Sequence, residues 1–239
     1  MSKTALITGG NSGIGYATAK LLKQNNYDVC ITGRNTQELK KASIELGVNY
    51  IVADLSSIKE IIKLATAFEN TGLDALVNNA GIANPMPIEN YSLDNFNSHI
   101  QVNLLAPVFL IKHLLPPLEK HKGCITNVSS IITKKGVPNF GIYAATKGAI
   151  ESFTRNMAIE LAPKAIRINA ICPGAIDTPM FSKLGRTLEE MDKARQKKTE
   201  EIPLKRFGNP DEVAQVIFAQ IEATYVTGSI WNVDGGVDT

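Results

Sequence analysis

The chain has 239 residues, 44% apolar and 20% charged, which suits one α/β domain with a large core and excludes a disordered or fibrous chain. Twenty-five Lys and Arg against 23 Asp and Glu leave a net charge of +2, so nothing draws nucleic acid or another polyanion. Cys30, Cys124 and Cys172 are odd in number, share no CxxC spacing and sit in apolar runs, so they read as reduced, buried thiols of a cytoplasmic protein rather than disulfides or a zinc site.

No charged-then-apolar leader opens the sequence, and no run approaches about 18 apolar residues, which argues against secretion and membrane spanning. Residues 5–8 form the first predicted strand, and 16–24 the first helix. Between them lies Gly9-Gly10-Asn11-Ser12-Gly13-Ile14-Gly15. Glycines at a strand–helix junction permit a tight turn and let backbone N–H groups approach a pyrophosphate, with the helix dipole beneath the anion. The spacing is G-x3-G-x-G rather than G-x-G-x-x-G, which marks a particular branch of dinucleotide binders.

The second strand, 29–32, ends on Gly33-Arg34. A carboxylate there would bond the adenosine ribose and repel a 2′-phosphate; its absence, with an arginine next to it, favours NADP(H) over NAD(H). Strands follow at 50–53 and 75–78, then an apolar helix from about 92 to 115. Pro107 in that helix has no N–H to offer the carbonyl of Asn103, four residues earlier, so the helix should bend there and leave a carbonyl for water. His99, His113 and His121 lie in or beside it without a ligand cluster, so no metal is expected.

A fifth strand, 124–128, runs into Ser129-Ser130, which lack the G-x-S-x-G elbow of a serine hydrolase. Thirteen residues after Ser130, Tyr143 and Lys147 stand four apart in a helix-period stretch, and so share a face. A tyrosine is a poor acid or base near neutrality, but a neighbouring ammonium can lower its pKa by roughly 1–3 units, and the Ser130 hydroxyl could polarise a substrate oxygen beside the phenol. A sixth strand at 167–172 is followed by Pro173-Gly174. Residues 177–207 then mix charges with Met180, Phe181, Leu184 and Leu188, the pattern of a substrate lid with an apolar inner side. The last strand is 230–233. Strands alternating with helices, apolar on both faces and unbroken by a linker, predict a single-domain, doubly wound Rossmann-type parallel sheet in three layers, α/β/α, over 1–239.

Taken in order, Thr8-Gly9-x3-Gly13-x-Gly15, Asn78-Asn79-Ala80-Gly81, Asn103, Ser130, Tyr143-x3-Lys147, Pro173-Gly174, Thr227-Gly228 and Val233-Asp234-Gly235-Gly236 resemble the short-chain dehydrogenase/reductase family, in its single-domain branch, over nearly the whole length. The resemblance implies Tyr143 as acid/base, Lys147 as the group that lowers its pKa and holds the nicotinamide ribose, Ser130 as the residue orienting substrate oxygen, and Asn103 as part of a proton relay. It implies a cofactor cradle of Gly9, Asn11, Ser12, Gly13, Ile14 and Gly15. Arg34, Asp54 and Leu55, together with Asn79, Ala80 and Gly81, would lie on the adenosine side. Pro173, Gly174, Ile176 and Thr178 would hold the carboxamide. Ser12 stands where NADP-preferring members often carry a basic residue, which keeps NAD open. The implied activity is hydride transfer between NADP(H) and a carbonyl or secondary alcohol. The alternatives are a non-catalytic NADP(H)-binding sensor or scaffold, disfavoured by the complete Ser130, Tyr143 and Lys147 set, and a nucleotide-sugar epimerase or dehydratase, disfavoured by the first turn. The small residues Ala144, Ala145, Gly148 and Ala149, with the apolar 92–115 stretch, predict a homotetramer or at least a dimer.

Overall fold

Side chains along a strand alternate between two faces, and every strand of this chain is apolar at both parities. The outcome, in a computed structural model that describes residues 2–182 and 188–238 (side chains at 181, 182 and 188–191 excepted), is one sheet of seven strands. They are β1 (Lys3–Thr8), β2 (Tyr27–Gly33), β3 (Asn49–Val52), β4 (Ala75–Asn78), β5 (Cys124–Val128), β6 (Arg167–Pro173) and β7 (Ile230–Val233). Their order is β3-β2-β1-β4-β5-β6-β7, parallel throughout. The helices are α1 (Gly13–Gln24), α2 (Thr36–Leu46), α3 (Ile58–Thr66), α4 (Leu93–Ile100), α5 (Ala106–His121), α6 (Gly141–Leu161), α7 (Pro179–Ser182), α8 (Leu188–Glu201) and α9 (Pro210–Glu222).

Leu6, Cys30, Leu76, Ile125 and Ile168 pack on one face with Leu64 of α3, Leu110, Leu114 and Leu118 of α5 and Ala158 of α6. Their strand neighbours Ile7, Ile31, Val77 and Ile171 pack on the other with Leu22 of α1, Leu39 of α2 and Val213 and Ile217 of α9. Fully buried aliphatics such as Leu6, Leu76 and Leu114 contribute about 1.5–3 kcal/mol each. The strand order reverses between β1 and β4, where the turns at the strands' C-terminal ends diverge and leave a crevice.

Three local outcomes differ from the sequence reading. Helix α1 starts at Gly13, three residues early, because extended Ser12 already caps it and accepts from the Tyr16 N–H. The break at Asn103 takes the form of a π turn over Gln101–Leu105, in which the Ala106 N–H donates to the Gln101 carbonyl and shifts the helical register. Beyond it α5 runs to His121, through Pro116 and Pro117, rather than stopping near 115. The two prolines forfeit bonds one turn back, but Pro117 and Leu118 are buried, and the Pro117 carbonyl accepts from Leu73. Leu93–His121 is therefore a continuous run of 29 residues, long and apolar enough to cross a membrane by length and composition. Here Ala106, Leu110, Leu114 and Leu118 spend that apolarity on the sheet.

Candidate active site

A cleft of about 700 Å³ occupies the crevice. Its floor is the turn after β1. Gly9 holds φ at 65°, and a Cβ there would sit 3.1 Å from the Ala80 Cα. A Cβ on Gly15 would fall on the Gly9 carbonyl oxygen and lie 2.5 Å from the Asn79 Nδ2. The Thr8 hydroxyl accepts the N–H groups of Asn79 (3.0 Å) and Ala80 (2.9 Å), while the Asn79 amide donates to the Thr8 and Gly9 carbonyls. The ends of β1 and β4 and the start of α1 are thus clasped closely together. Ser12 caps α1 without a side-chain bond, so first-turn N–H groups point to that space. Such a cradle fits a dinucleotide pyrophosphate. Gly9, Asn11, Ser12, Gly13 and Ile14 line the cleft; Gly15 lies behind it, as the contact that lets the turn close.

Beyond the turn lie Arg34, exposed, with Asp54 and Leu55. Ser56 donates its N–H (2.9 Å) and hydroxyl (2.8 Å) to Asp54, and these bonds, with a contribution from Arg34, hold the carboxyl below the usual range despite partial burial. Sequence reasoning missed Glu38. It lines the same end and accepts from the Asn11 amide at 2.9 Å, a carboxylate four residues after Arg34 on the first turn of α2. The available signal was its place three residues after the capping Asn35, in the first turn of the helix that follows β2.

At the other end Ser130, Tyr143 and Lys147 come together, beside Ala80 and Gly81. Ser130 lies two residues past the end of β5 and caps a short 3₁₀ turn, Ile131–Thr133. Its hydroxyl accepts from the Ile132 N–H at 3.3 Å, and it is the neighbour that favours the Tyr143 phenolate. Lys147, only 4% exposed, donates to the Val128 carbonyl at 2.7 Å, and its ammonium stands 5.6 Å from the Tyr143 ring centre. Burial pulls Lys147 down to about 8. Burial also raises Tyr143, and Ser130 offsets this only in part. Burial therefore sets the direction at the phenol, opposite to the lowering expected from an ammonium four residues away. The arrangement can hold a proton at the phenol oxygen with a hydroxyl and a titratable ammonium at hand.

Asn103 does not line the cleft. Its carboxamide accepts from the Ile82 N–H (2.8 Å) and donates to the Ile82 carbonyl (2.9 Å) and to Thr146 (3.1 Å), whose hydroxyl donates to the Tyr143 carbonyl (2.7 Å). It pins the segment after β4 to the helix bearing Tyr143. His99 adds to this by accepting from the Asn84 N–H.

Pro173, Gly174, Ile176 and Thr178 form the far wall, and a Cβ on Gly13 would touch Thr178 at 3.2 Å. Met180, Ala194 and Lys198 approach from α7 and α8, and Ile132, Val137 and Phe140 from the segment after Ser130. Arg195 anchors α8 through a two-pronged pair with Asp177 at 3.0 Å. Leu184 lies outside the described residues, as do the side chains of Phe181 and Leu188.

A family model described as enoyl-(acyl carrier protein) reductase matches residues 9–238. The chain is 38% identical to the 3-oxoacyl-(acyl-carrier-protein) reductase FabG of Thermotoga maritima, over 98% of this chain and 97% of that protein. It is 35% identical to carbonyl reductase family member 4 of Xenopus laevis, over 99% and 98%. Among solved structures it resembles a variant of actinorhodin polyketide ketoreductase with NADPH (TM-score 0.91, 30% identity, 99% and 97% covered). It equally resembles a 3-ketoacyl-(acyl-carrier-protein) reductase of Brucella melitensis complexed with NADH (TM-score 0.91, 30% identity, 99% and 98% covered).

Proposed function

The chain belongs to the short-chain dehydrogenase/reductase family, and from that premise we propose that it is an oxidoreductase moving hydride between NADP(H) and a carbonyl or secondary alcohol. The observation that carries this reading is the convergence of Ser130, Tyr143 and Lys147 at one end of a cleft whose other end is the glycine cradle and Arg34. NADPH, when bound, supplies the hydride. Gly9, Asn11, Ser12, Gly13 and Ile14 bind its pyrophosphate; Arg34, Asp54, Leu55, Asn79, Ala80 and Gly81 enclose the adenosine side; Pro173, Gly174, Ile176 and Thr178 orient the carboxamide, and Lys147 the ribose. Tyr143 gives its phenolic proton to the substrate oxygen in reduction and takes it back in oxidation. Ser130 donates a hydrogen bond to the same oxygen, a positioned dipole where charge develops. The Lys147 ammonium, near 8 through burial, refills the phenol's proton. The Asn103 carbonyl, four residues before the N–H-less Pro107, offers a station for water on the way to solvent.

NADP(H) is preferred over NAD(H) through Arg34; the ketoreductase and the Brucella reductase show that this fold accepts either. Residues 177–207 act as the substrate lid, supported by the reach of Met180, Ala194 and Lys198 into the cleft. The protein is a cytoplasmic homotetramer or homodimer. Leu93 is 73% exposed on α4, and nothing lies within 4 Å of a Cβ placed on Gly148 of α6, so an apolar, open face awaits a second copy. Light scattering giving a monomer at micromolar concentration would remove that part. The function is tested with a panel of ketones, 3-oxoacyl thioesters and secondary alcohols, read by NADPH and NADH absorbance, with an enoyl thioester as control. Turnover of carbonyls and not of the enoyl bond is expected; the reverse, or no turnover, overturns the proposal.

A further inference from the structure

Glu151 lies on α6 one turn beyond Lys147 and two beyond Tyr143, and it is buried, at 7% exposure. A carboxylate out of water is costly unless hydrogen bonds replace its hydration. Here they do. A single oxygen, Oε1, accepts from the Ser129 hydroxyl (2.7 Å), the Thr133 hydroxyl (2.7 Å) and the Cys172 thiol (3.1 Å). Burial first, and the bond to Glu151 second, push the Cys172 thiol up to about 12, so it stays protonated and donates. Two hydroxyls and one weaker thiol donor thus take the place of water on that oxygen.

The placement of those donors is informative. Ser129 precedes Ser130; Thr133 follows it by three, and its hydroxyl oxygen lies 3.0 Å from the Ser130 carbonyl, a second acceptor that competes for its single hydrogen. Cys172 is on β6, just before Pro173 of the far wall. Both flanks of Ser130 are thus fastened to one atom of the helix that carries Tyr143 and Lys147. Among the described residues, the Ser129 hydroxyl also lies 3.3 Å from the Lys147 carbonyl, and the exposed Lys134 and Lys135 reach Asp238, Asn232 and Glu201.

We propose that Glu151 is a positioning residue: by tying Ser129 and Thr133 to α6 it sets the Ser130 hydroxyl on the substrate oxygen that Tyr143 addresses. This rests on the roles proposed above for Ser130 and Tyr143. The measurement is a double-mutant cycle of Glu151→Ala and Ser130→Ala, with Glu151→Gln alongside, on reduction of acetoacetyl-N-acetylcysteamine by NADPH. Glu151→Ala should lower kcat about ten- to a hundredfold with the KM for NADPH within about twofold, and add less than about twofold in the Ser130→Ala background. Glu151→Gln, whose amide oxygen can accept the same donors, should return to within about fivefold of wild type. Ser130 favours the phenolate of Tyr143, so the pH midpoint for oxidation of the 3-hydroxy thioester should move up in each single variant, and no further in the double.

Losses that multiply in the double variant, or a Glu151→Ala kcat within about twofold of wild type, overturn the proposal. A slow Ser130→Ala with a fast Glu151→Ala removes Glu151 alone; a fast Ser130→Ala removes the reading of Ser130 and this proposal with it. Should Glu151→Ala not fold, Thr133→Val removes one of the three bonds: a Ser130-dependent fall in kcat of about threefold or more supports the proposal, and no fall overturns it.

Discussion

Arg34 should decide which nicotinamide the protein prefers. It stands exposed at the end of β2, on the adenosine side of the cleft, and Arg34→Ala removes a charge-assisted bond to a 2′-phosphate. A hydrogen bond to a charged group is worth about 1.5–3 kcal/mol. Solvent exposure and the nearby Glu38 carboxylate hold it to the lower part of that range, so the KM for NADPH should rise about ten- to thirtyfold. NADH has no such phosphate, and its KM should move by less than about twofold. A carboxylate at residue 33 together with Arg34→Ala should reverse the preference. A Cβ on Gly33 comes within 3.0 Å of the Asn11 Oδ1, so the Asn11 carboxamide must give way by a few tenths of an ångström. The assay is kcat/KM with both cofactors for wild type, Arg34→Ala and the Gly33→Asp, Arg34→Ala double variant. A wild type that favours NADH, or an alanine variant that loses both cofactors equally, refutes the assignment.

Gly15→Ala should weaken NADPH binding in a fluorescence titration and cost about 1–3 kcal/mol of stability, although Gly15 does not face the cleft, because its Cβ would fall on the Gly9 carbonyl; affinity within about threefold of wild type contradicts the clasp. Lys147→Met should reveal the buried cation through pH. The folded lysine titrates near about 8 and an unfolded one near about 10.4, so between them the unfolded chain binds more protons and the wild type gains stability as pH rises. The variant lacks this gain, and its melting temperature relative to wild type should be highest near about pH 7 and fall toward about pH 10; a difference flat with pH contradicts the depressed pKa.

Apolar runs such as 75–78 and 124–128 are legible as strands because they are too short for a helix and alternate with helix-period stretches, as buried parallel strands do. The glycine turn and the Tyr143–Lys147 spacing were equally plain, since each is a local relation that a helix or a strand end preserves. What stayed hidden depends on contacts between distant segments. Asn103 signalled its carbonyl through Pro107, but nothing in the sequence says that its carboxamide grips Ile82. Glu151 reads as one more polar residue on a helix until β5, the 3₁₀ turn and β6 bring three donors to it. Spacing supplies the ammonium beside Tyr143, while the burial that raises its phenol is a property of the packed site.

The central claim, that Tyr143 is the group exchanging a proton with substrate oxygen, is tested most directly by Tyr143→Phe, with kcat for carbonyl reduction and the Kd for NADPH measured on the same preparation. The phenyl ring preserves the packing against Phe140 and removes only the hydroxyl. General acid catalysis contributes about 10²–10⁴-fold, so kcat should fall by at least about a hundredfold while the Kd stays within a few-fold. A variant that keeps more than about a tenth of the wild-type kcat with its cofactor affinity intact would contradict the account.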